Sequence, residues 1–452
     1  MKPPNNQQQT TVKLAKSNKK RRVLETTISY CGYCSKLVPA KIVVEEDKVF
    51  LEKTHCSEEK WLIENDIDYF NSAIRPFIVD KKLLLGMSRI EARQKLNKTS
   101  KCLLLYITKR CDLCCPICYH RFHYNPAKER FSIEDILNIV KDYKNGLIVL
   151  SGGEPTLRED LPEIIKLIKK SGNQVELYTN GLKLLDINYV KKLKKSGLKT
   201  ICFSFDGFDD NVYQRLRGKN LLEKKIKILN NLEKVGIGVW LVVVIGKDIN
   251  ENQITPILEF ARRHTNLIRG VKFNVLYDPI LKDNYTISDI RKIIEKENGI
   301  NIKWFIEEKR LRYNLYKIVK KIFTPLSNRF LYLLQENHQY ITFKNGEWSS
   351  LIPIKRFEEI NKILEKGLKK KSRVSSVLHL CHAIIKIPKS LTFRLLYYYL
   401  MNGLNFPKIY TNSRLPSTID LYVSEIRPDH ILDVRRLGCV GVDGIFEMGN
   451  LE

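Results

Sequence analysis

At 452 residues the chain is long enough for two or three domains and a sizeable core. Its 43% apolar content excludes wholesale disorder, and it has no uninterrupted apolar run of the roughly 18 residues that a membrane-spanning helix needs. The formal charge of +28 favours anionic partners (nucleic acid, acidic lipid headgroups or a phosphorylated small molecule), although a Lys- and Ile-rich proteome would produce the same bias.

In chain order, residues 1–25 are polar, Gln/Asn-rich and then basic at Lys19-Lys20-Arg21-Arg22, and read as a disordered tail. They lack the apolar run of a secretory leader, which points to the cytoplasm. Residues 26–98 form a small module. Cys31-Gly32-Tyr33-Cys34 reads as a metal knuckle, and AKIVVEED and KVFLEKT read as two short strands around a turn leading into His55-Cys56, the outline of a zinc-ribbon-like fold. From 99 to 282 apolar strands read at 102–108, 147–152, 174–180, 200–206, 239–246 and 271–276. Between them, stretches such as 161–172 and 187–197 carry apolar residues at helical spacing. Six strands with helical crossovers argue for an α/β fold, a parallel sheet or barrel whose functional residues gather at the C-terminal strand ends. Residues 283–452 are basic and partly helical. Within them IIKIPKSLTFRLLYYYLMNGLNF (384–406) suits either a packed core element or a membrane interface.

Eleven cysteines in a cytoplasmic chain suit metal binding or burial better than disulfides. The strongest signal is TKRCDLCCPICY (108–119), where Cys111, Cys115 and Cys118 stand at C-x3-C-x2-C directly after the first of the six strands. Three thiolates on a tight loop can hold three irons of a [4Fe–4S] cluster and leave the fourth open, whereas electron-transfer clusters usually take four cysteines. A zinc site with a distant fourth ligand is the alternative. Cys114 is off the pattern and reads as a bystander. Ser151-Gly152-Gly153-Glu154-Pro155-Thr156 closes the second strand. Its glycines let the backbone approach a ligand, and the strand-end backbone with Glu154 can hydrogen-bond an ammonium group. Tyr178-Thr179-Asn180-Gly181 and Ser204-Phe205-Asp206-Gly207 close the next two strands, and each also suits an ordinary turn. Cys381, near His379 and His382, and Cys439 are too far apart in sequence for a cluster and read as buried structural cysteines.

These motifs resemble the radical S-adenosylmethionine (SAM) superfamily, whose cysteine loop follows strand one of a partial (β/α)6 TIM-like barrel. Ile117 stands where that family often has an aromatic residue. The resemblance implies that Cys111, Cys115 and Cys118 hold a [4Fe–4S] cluster whose unique iron chelates SAM. It implies that Gly152, Gly153, Glu154 and Pro155 form the family's "GGEP" motif and orient the SAM ammonium. Ser204 and Asp206 would contact its ribose or methionine end, and Val244-Ile245-Gly246 would pass near the adenine. A one-electron donor such as ferredoxin or flavodoxin would drive SAM cleavage to a 5′-deoxyadenosyl radical, which abstracts hydrogen from an unactivated C–H bond.

The run ETTISYCGYCSKLVPAKIVVEEDKVFLEKTHCSEEK, with SFDGFDDNVYQRLRG and RGVKF, resembles a narrower group over residues 25–278. That group contains archaeal tetraether-lipid synthases and methanopterin-pathway methylases. Its N-terminal metal motif ends in His and Gly where this chain has Glu59 and Lys60. Zinc on Cys31, Cys34 and Cys56 would then need a fourth ligand from His55 or Glu59. The group's C-terminal auxiliary-cluster cysteines are mostly missing from DVRRLGCVGVDGIFEMGN.

The expected architecture is therefore α/β: a partial (β/α)6 TIM-like barrel over 99–282, a zinc-ribbon-like N-terminal module, and a C-terminal α/β extension over 283–452 that engages substrate or a membrane surface. The leading functional expectation is C–C bond formation on an archaeal-type membrane lipid, because radical chemistry suits an inert alkyl terminus and the basic C-terminal region suits anionic headgroups. The enzyme would then sit in the cytoplasm or peripherally at the membrane. The alternatives are methylation of a pterin-like cofactor, RNA modification and a non-catalytic iron–sulfur scaffold. None of the usual RNA-binding signatures is present, which sets nucleic acid behind small molecules and lipids as a partner. A scaffold would have no use for an open iron position. No catalytic side chain is named by the sequence.

Overall fold

The computed structural model describes residues 21–31, 33–72, 83–88, 91, 102–118, 131–141, 146–276, 284–322, 338–344, 346–350, 352–387, 418–426 and 443–446. The N-terminal module is an antiparallel sheet of β1 (Arg22–Tyr30), β2 (Leu37–Glu45), β3 (Lys48–Lys53) and β4 (Glu59–Glu64), followed by α1 (Ile67–Ser72). Ile42, Val44, Val49, Leu51 and Ile63 point to one face and pack with Ile67 and Phe70 into a small core. The first strand takes in residues 22–25, which the polar composition had left with the tail. Their backbone groups pair with β2, where Val23 stands opposite Val43.

The central sheet explains the six apolar runs. Strands β5 (Cys102–Thr108), β6 (Leu147–Gly152), β7 (Gln174–Thr179), β8 (Thr200–Ser204), β9 (Gly238–Ile245) and β10 (Ile268–Leu276) lie side by side and parallel, in chain order. Crossovers run through α2 (Ile133–Val140), α3 (Leu161–Lys170), α4 (Ile187–Lys195), α5 (Asp210–Arg217), α6 (Leu222–Val235) and α7 (Ile254–Arg263). Alternation along each strand separates two faces. Leu103, Leu105, Ile148, Leu177, Ile201, Leu241 and Phe273 pack with Ile164, Ile168, Val190, Leu193, Ile228 and Leu258 of the helices in the main core. The other face carries Ser151, Glu176, Tyr178, Cys202, Ser204, Trp240 and Lys272, a more polar set than any core would need.

The C-terminal region adds α8 (Ile287–Asn298), α9 (Ile302–Ile322), β11 (His338–Lys344), β12 (Glu347–Ser350), α10 (Ile354–Lys369), α11 (Arg373–Ile385), β13 (Thr418–Ile426) and β14 (Asp443–Phe446). Four of these are strands of the central sheet, which runs β12-β11-β13-β10-β9-β8-β7-β6-β5-β14. Both β13 and β14 join it in parallel, beside β10 and β5 respectively. The N-terminal module docks on the start of α8. Glu64 accepts from Ser288 Oγ at 2.6 Å, and Asn65 Nδ2 donates to the Asn284 carbonyl at 3.0 Å and to Asp289 at 2.7 Å.

Helices α9, α10 and α11 share a separate small core around Leu311, Ile318, Phe357, Ile360 and Leu364. Helix α11 turns Ser376 and Ala383 inward and leaves Val374, Leu378, Ile384 and Ile385 exposed. Cys381 lies on the same exposed face, so it is not the buried structural cysteine its composition suggested. Most of the aromatic stretch at 384–406, from residue 388 on, and Cys439 lie outside the described residues. No described helix is long and apolar enough to cross a membrane.

Candidate functional site

The cysteine loop leaves β5 at Thr108 and is tied down at several points. The Cys118 amide donates to the Cys115 carbonyl at 3.0 Å, and Asn180 Nδ2 donates to Asp112 Oδ1 at 2.6 Å. Cys111 and Cys115 pack against Leu113, Tyr213 and Leu221, whereas Cys114 is exposed. Burial pushes the Cys111 thiol up to about 12. Burial raises Cys115 as well, against the opposing pull of Arg217.

The Gly152-Gly153-Glu154 segment holds this loop from below. The Gly153 amide donates to the Thr108 carbonyl at 2.9 Å and the Glu154 amide to the Arg110 carbonyl at 2.7 Å. Gly152 has φ +133, and a Cβ there would lie 2.2 Å from the Thr108 oxygen; one on Gly153 would lie 2.2 Å from the Arg110 oxygen. The glycines are needed so that two stretches of backbone can touch. The Glu154 side chain, 1% exposed, is also used internally. Its Oε1 accepts from Thr156 N (3.0 Å), Thr156 Oγ1 (2.6 Å) and Thr179 Oγ1 (2.7 Å), and its Oε2 from Asn180 N (2.6 Å). Burial raises its pKa while these donors pull the other way. Glu154 thus locks the ends of β6 and β7 together, with Pro155 buried at the start of a short 3-10 turn. The carboxylate accepts from four donors of the protein itself.

Asp206 is likewise enclosed. It receives two hydrogen bonds from Arg217, at 2.7 and 2.9 Å, and one from the Val244 amide at 3.0 Å. Burial works against the Arg217 charge, but Asp206 outweighs it and keeps the guanidinium protonated. Asp206 is thus held by Arg217 and the Val244 amide at the end of β8. Ser204 is half-buried at the end of β8. Its carbonyl accepts from Lys225 Nζ at 2.7 Å, and the same ammonium donates to the Asn180 carbonyl at 2.7 Å. Burial, then the nearby Arg217, lowers Lys225 to about 7. Lys225 and Arg217 were not singled out from sequence. Lys225 shares the buried stripe of α6 with Ile228, Leu229 and Leu232, a helical spacing that could have revealed it.

The N-terminal module brings Cys31, Cys34, His55 and Cys56 together, their ligand atoms all within 4.8 Å of one another. Of the two candidates for fourth ligand it is His55 that joins the thiols, with Nδ1 3.0 Å from Cys56 Sγ and 3.8 Å from Cys34 Sγ. Glu59 is engaged elsewhere, with Lys53 at 2.7 Å and Trp61 Nε1 at 2.9 Å. Three thiols and one imidazole suit tetrahedral zinc. Cys111, Cys115 and Cys118 form no such single-ion group.

A model of the Radical SAM superfamily matches residues 105–261, and a model of the HMPTM N-terminal zinc ribbon domain matches residues 23–58. The chain is 31% identical over 398 residues to 7,8-dihydro-6-hydroxymethylpterin dimethyltransferase of Methanocaldococcus jannaschii, covering 80% of this chain and 77% of that protein. It is 31% identical over 178 residues to GTP 3′,8-cyclase of Aliarcobacter butzleri, covering 38% of this chain and 54% of that one. Among solved structures, Streptococcus suis SuiB bound to S-adenosylmethionine aligns at 20% identity over 56% of this chain and 68% of that chain, with a TM-score of 0.37.

Proposed function

The chain belongs to the radical SAM superfamily and is an enzyme of that class, and from this premise we propose that it transfers methyl groups to a pterin. Enzymes of the class use a [4Fe–4S] cluster and SAM, which together supply one-electron cleavage of SAM and hydrogen abstraction from an unactivated C–H bond. The observation that carries the substrate reading is the extended similarity to the pterin dimethyltransferase, which runs through 80% of the chain and is reinforced by the matched zinc ribbon.

In this reading Cys111, Cys115 and Cys118 are the cluster ligands. The Gly152-Gly153 backbone and Ser204 line the SAM site at the strand ends. Glu154 and Asp206 are positioning residues: one holds the cysteine loop against β7, the other aims Arg217 beside Cys115. Zinc on Cys31, Cys34, His55 and Cys56 keeps the N-terminal module folded. The test is anaerobically reconstituted protein with SAM, dithionite and 7,8-dihydro-6-hydroxymethylpterin deuterated at its C–H positions. Pterin-dependent 5′-deoxyadenosine that carries deuterium is expected. Deuterium-free 5′-deoxyadenosine at a rate indifferent to pterin would overturn the reading.

The lipid expectation rested on the suitability of radical chemistry for an inert alkyl terminus and on the basic C-terminal region with its aromatic stretch at 384–406, most of which lies outside the described residues. One observation does favour a membrane-surface role. Helix α11 exposes Val374, Leu378 and Ile385, the last 77% exposed, next to exposed Lys369, Lys370, Lys371 and Arg373. Apolar residues flanked by lysines suit an anionic interface. Co-sedimentation with phosphatidylserine vesicles that is lost in V374S/L378S/I385S would support it. Equal sedimentation of both proteins would count against it.

A further inference from the structure

Glu176 stands on the polar face of the central sheet, within β7, and is 3% exposed. Its polar partner is the Lys272 ammonium at 3.7 Å, an ion pair too long for a hydrogen bond. Among the described residues no other donor reaches it. A buried carboxylate ordinarily accepts several hydrogen bonds, because its bare lone pairs have been taken out of water. Glu154, one strand away, shows the usual solution, with four donors around one carboxylate. Glu176 is nearly buried as a residue, yet its carboxylate oxygens are not fully enclosed, and the protein itself leaves acceptor capacity on them unused.

The surroundings say what kind of donor belongs there. Lys272 Nζ, from β10, reaches across to Tyr178 OH at 3.0 Å and Cys202 Sγ at 3.3 Å. It lies 5.2 Å from the Tyr178 ring centroid and 4.9 Å from that of Trp240. A carboxylate, an ammonium and two flat rings thus share one region of the sheet face. Glu176 sits four residues before Asn180, which at a strand rise of about 3.3 Å per residue puts it about 13 Å from the strand end that meets the cysteine loop.

We infer that Glu176 and Lys272 form the recognition floor for the pyrimidine edge of a pterin, an inference that rests on the pterin reading above. That edge presents an amino group and a ring N–H as adjacent donors, with a 4-oxo acceptor beside them. Glu176 accepts from the two donors, and the Lys272 ammonium faces the oxo group. The 6-substituent lies on the far side of the bicycle, so this orientation directs it toward the strand ends, where the hydrogen is abstracted.

The experiment compares two ligands on the full-length zinc-loaded protein by anaerobic titration calorimetry: 7,8-dihydro-6-hydroxymethylpterin and its lumazine analogue, in which the 2-amino group is 2-oxo. Wild-type protein is expected to prefer the pterin by about 10- to 100-fold, the range for a hydrogen bond to a charged group. In Glu176→Gln the carboxamide donates to the 2-oxo group, so the preference reverses. Wild-type protein that binds both ligands equally overturns the floor, whether or not the variant folds. A Glu176→Gln variant with wild-type melting temperature and unchanged preference also overturns it, and leaves the pterin reading standing. Wild-type protein that binds neither ligand removes the pterin reading itself.

Discussion

Replacing Gly153 with alanine would put a methyl carbon 2.2 Å from the Arg110 carbonyl oxygen, 2.7 Å from its carbon and 2.9 Å from the Lys109 oxygen. All three are backbone atoms, so no side-chain rotation relieves the overlap and the cysteine loop has to lift from β6. Lifting it breaks the Gly153-to-Thr108 and Glu154-to-Arg110 hydrogen bonds, at 2.9 and 2.7 Å. Overpacking of this kind costs about 1–3 kcal/mol and each lost hydrogen bond about 1 kcal/mol; because the terms share one movement, a total of about 2–4 kcal/mol is expected. That is less than the roughly 5–15 kcal/mol stability of an ordinary domain, so the barrel stays folded while the loop is displaced. Iron and sulfide content after anaerobic reconstitution should fall well below wild type, and the melting temperature should drop by roughly 5–10 °C. Gly153→Ala with full iron content and an unchanged melting temperature would refute the claim that the glycines exist for this backbone contact.

Three further outcomes follow from the geometry. His55→Ala should lose zinc and Glu59→Ala should keep it, as read by zinc content of the purified proteins; the reverse pattern would return Glu59 to the ligand set. Asp206→Asn strips a buried guanidinium of its charged partner, which typically costs about 3–5 kcal/mol in urea unfolding. A loss below about 1 kcal/mol would contradict the reading that the Arg217 charge depends on Asp206. Lys225, lowered in the fold to about 7 from an ordinary 10.5, is neutral between those values while the unfolded chain is still protonated. The apoprotein should therefore gain stability as pH rises from about 7 toward 10.5, relative to Lys225→Met. Parallel pH profiles for the two proteins would contradict the buried-lysine account.

The six core strands were legible because each is an apolar run and all but the first lie close to a Gly, Asn or Asp. The strand-end motifs were legible for the same reason, since a parallel sheet concentrates polar residues there. The division of labour within them was not. Whether Glu154 and Asp206 face a ligand or the protein depends on Thr179, Asn180 and Arg217, which arrive from other strands and helices. The strands β11, β12, β13 and β14 escaped notice because they join the sheet from a basic region in which short alternating runs compete with helical patterns. Helix α11 misled in a different way. Its apolar residues have helical spacing, but the packed face is the one with Ser376 and Ala383, so Cys381 points outward.

The central claim is that Cys111, Cys115 and Cys118, and not Cys114, hold the cluster that cleaves SAM. The most direct measurement is the electron paramagnetic resonance spectrum of each single Cys→Ala variant after anaerobic reconstitution and dithionite reduction, with 5′-deoxyadenosine counted in the same samples. The account predicts that Cys111→Ala, Cys115→Ala and Cys118→Ala lose both the [4Fe–4S] signal and SAM cleavage, while Cys114→Ala keeps both. A Cys115→Ala protein that retained the signal and the cleavage would contradict it.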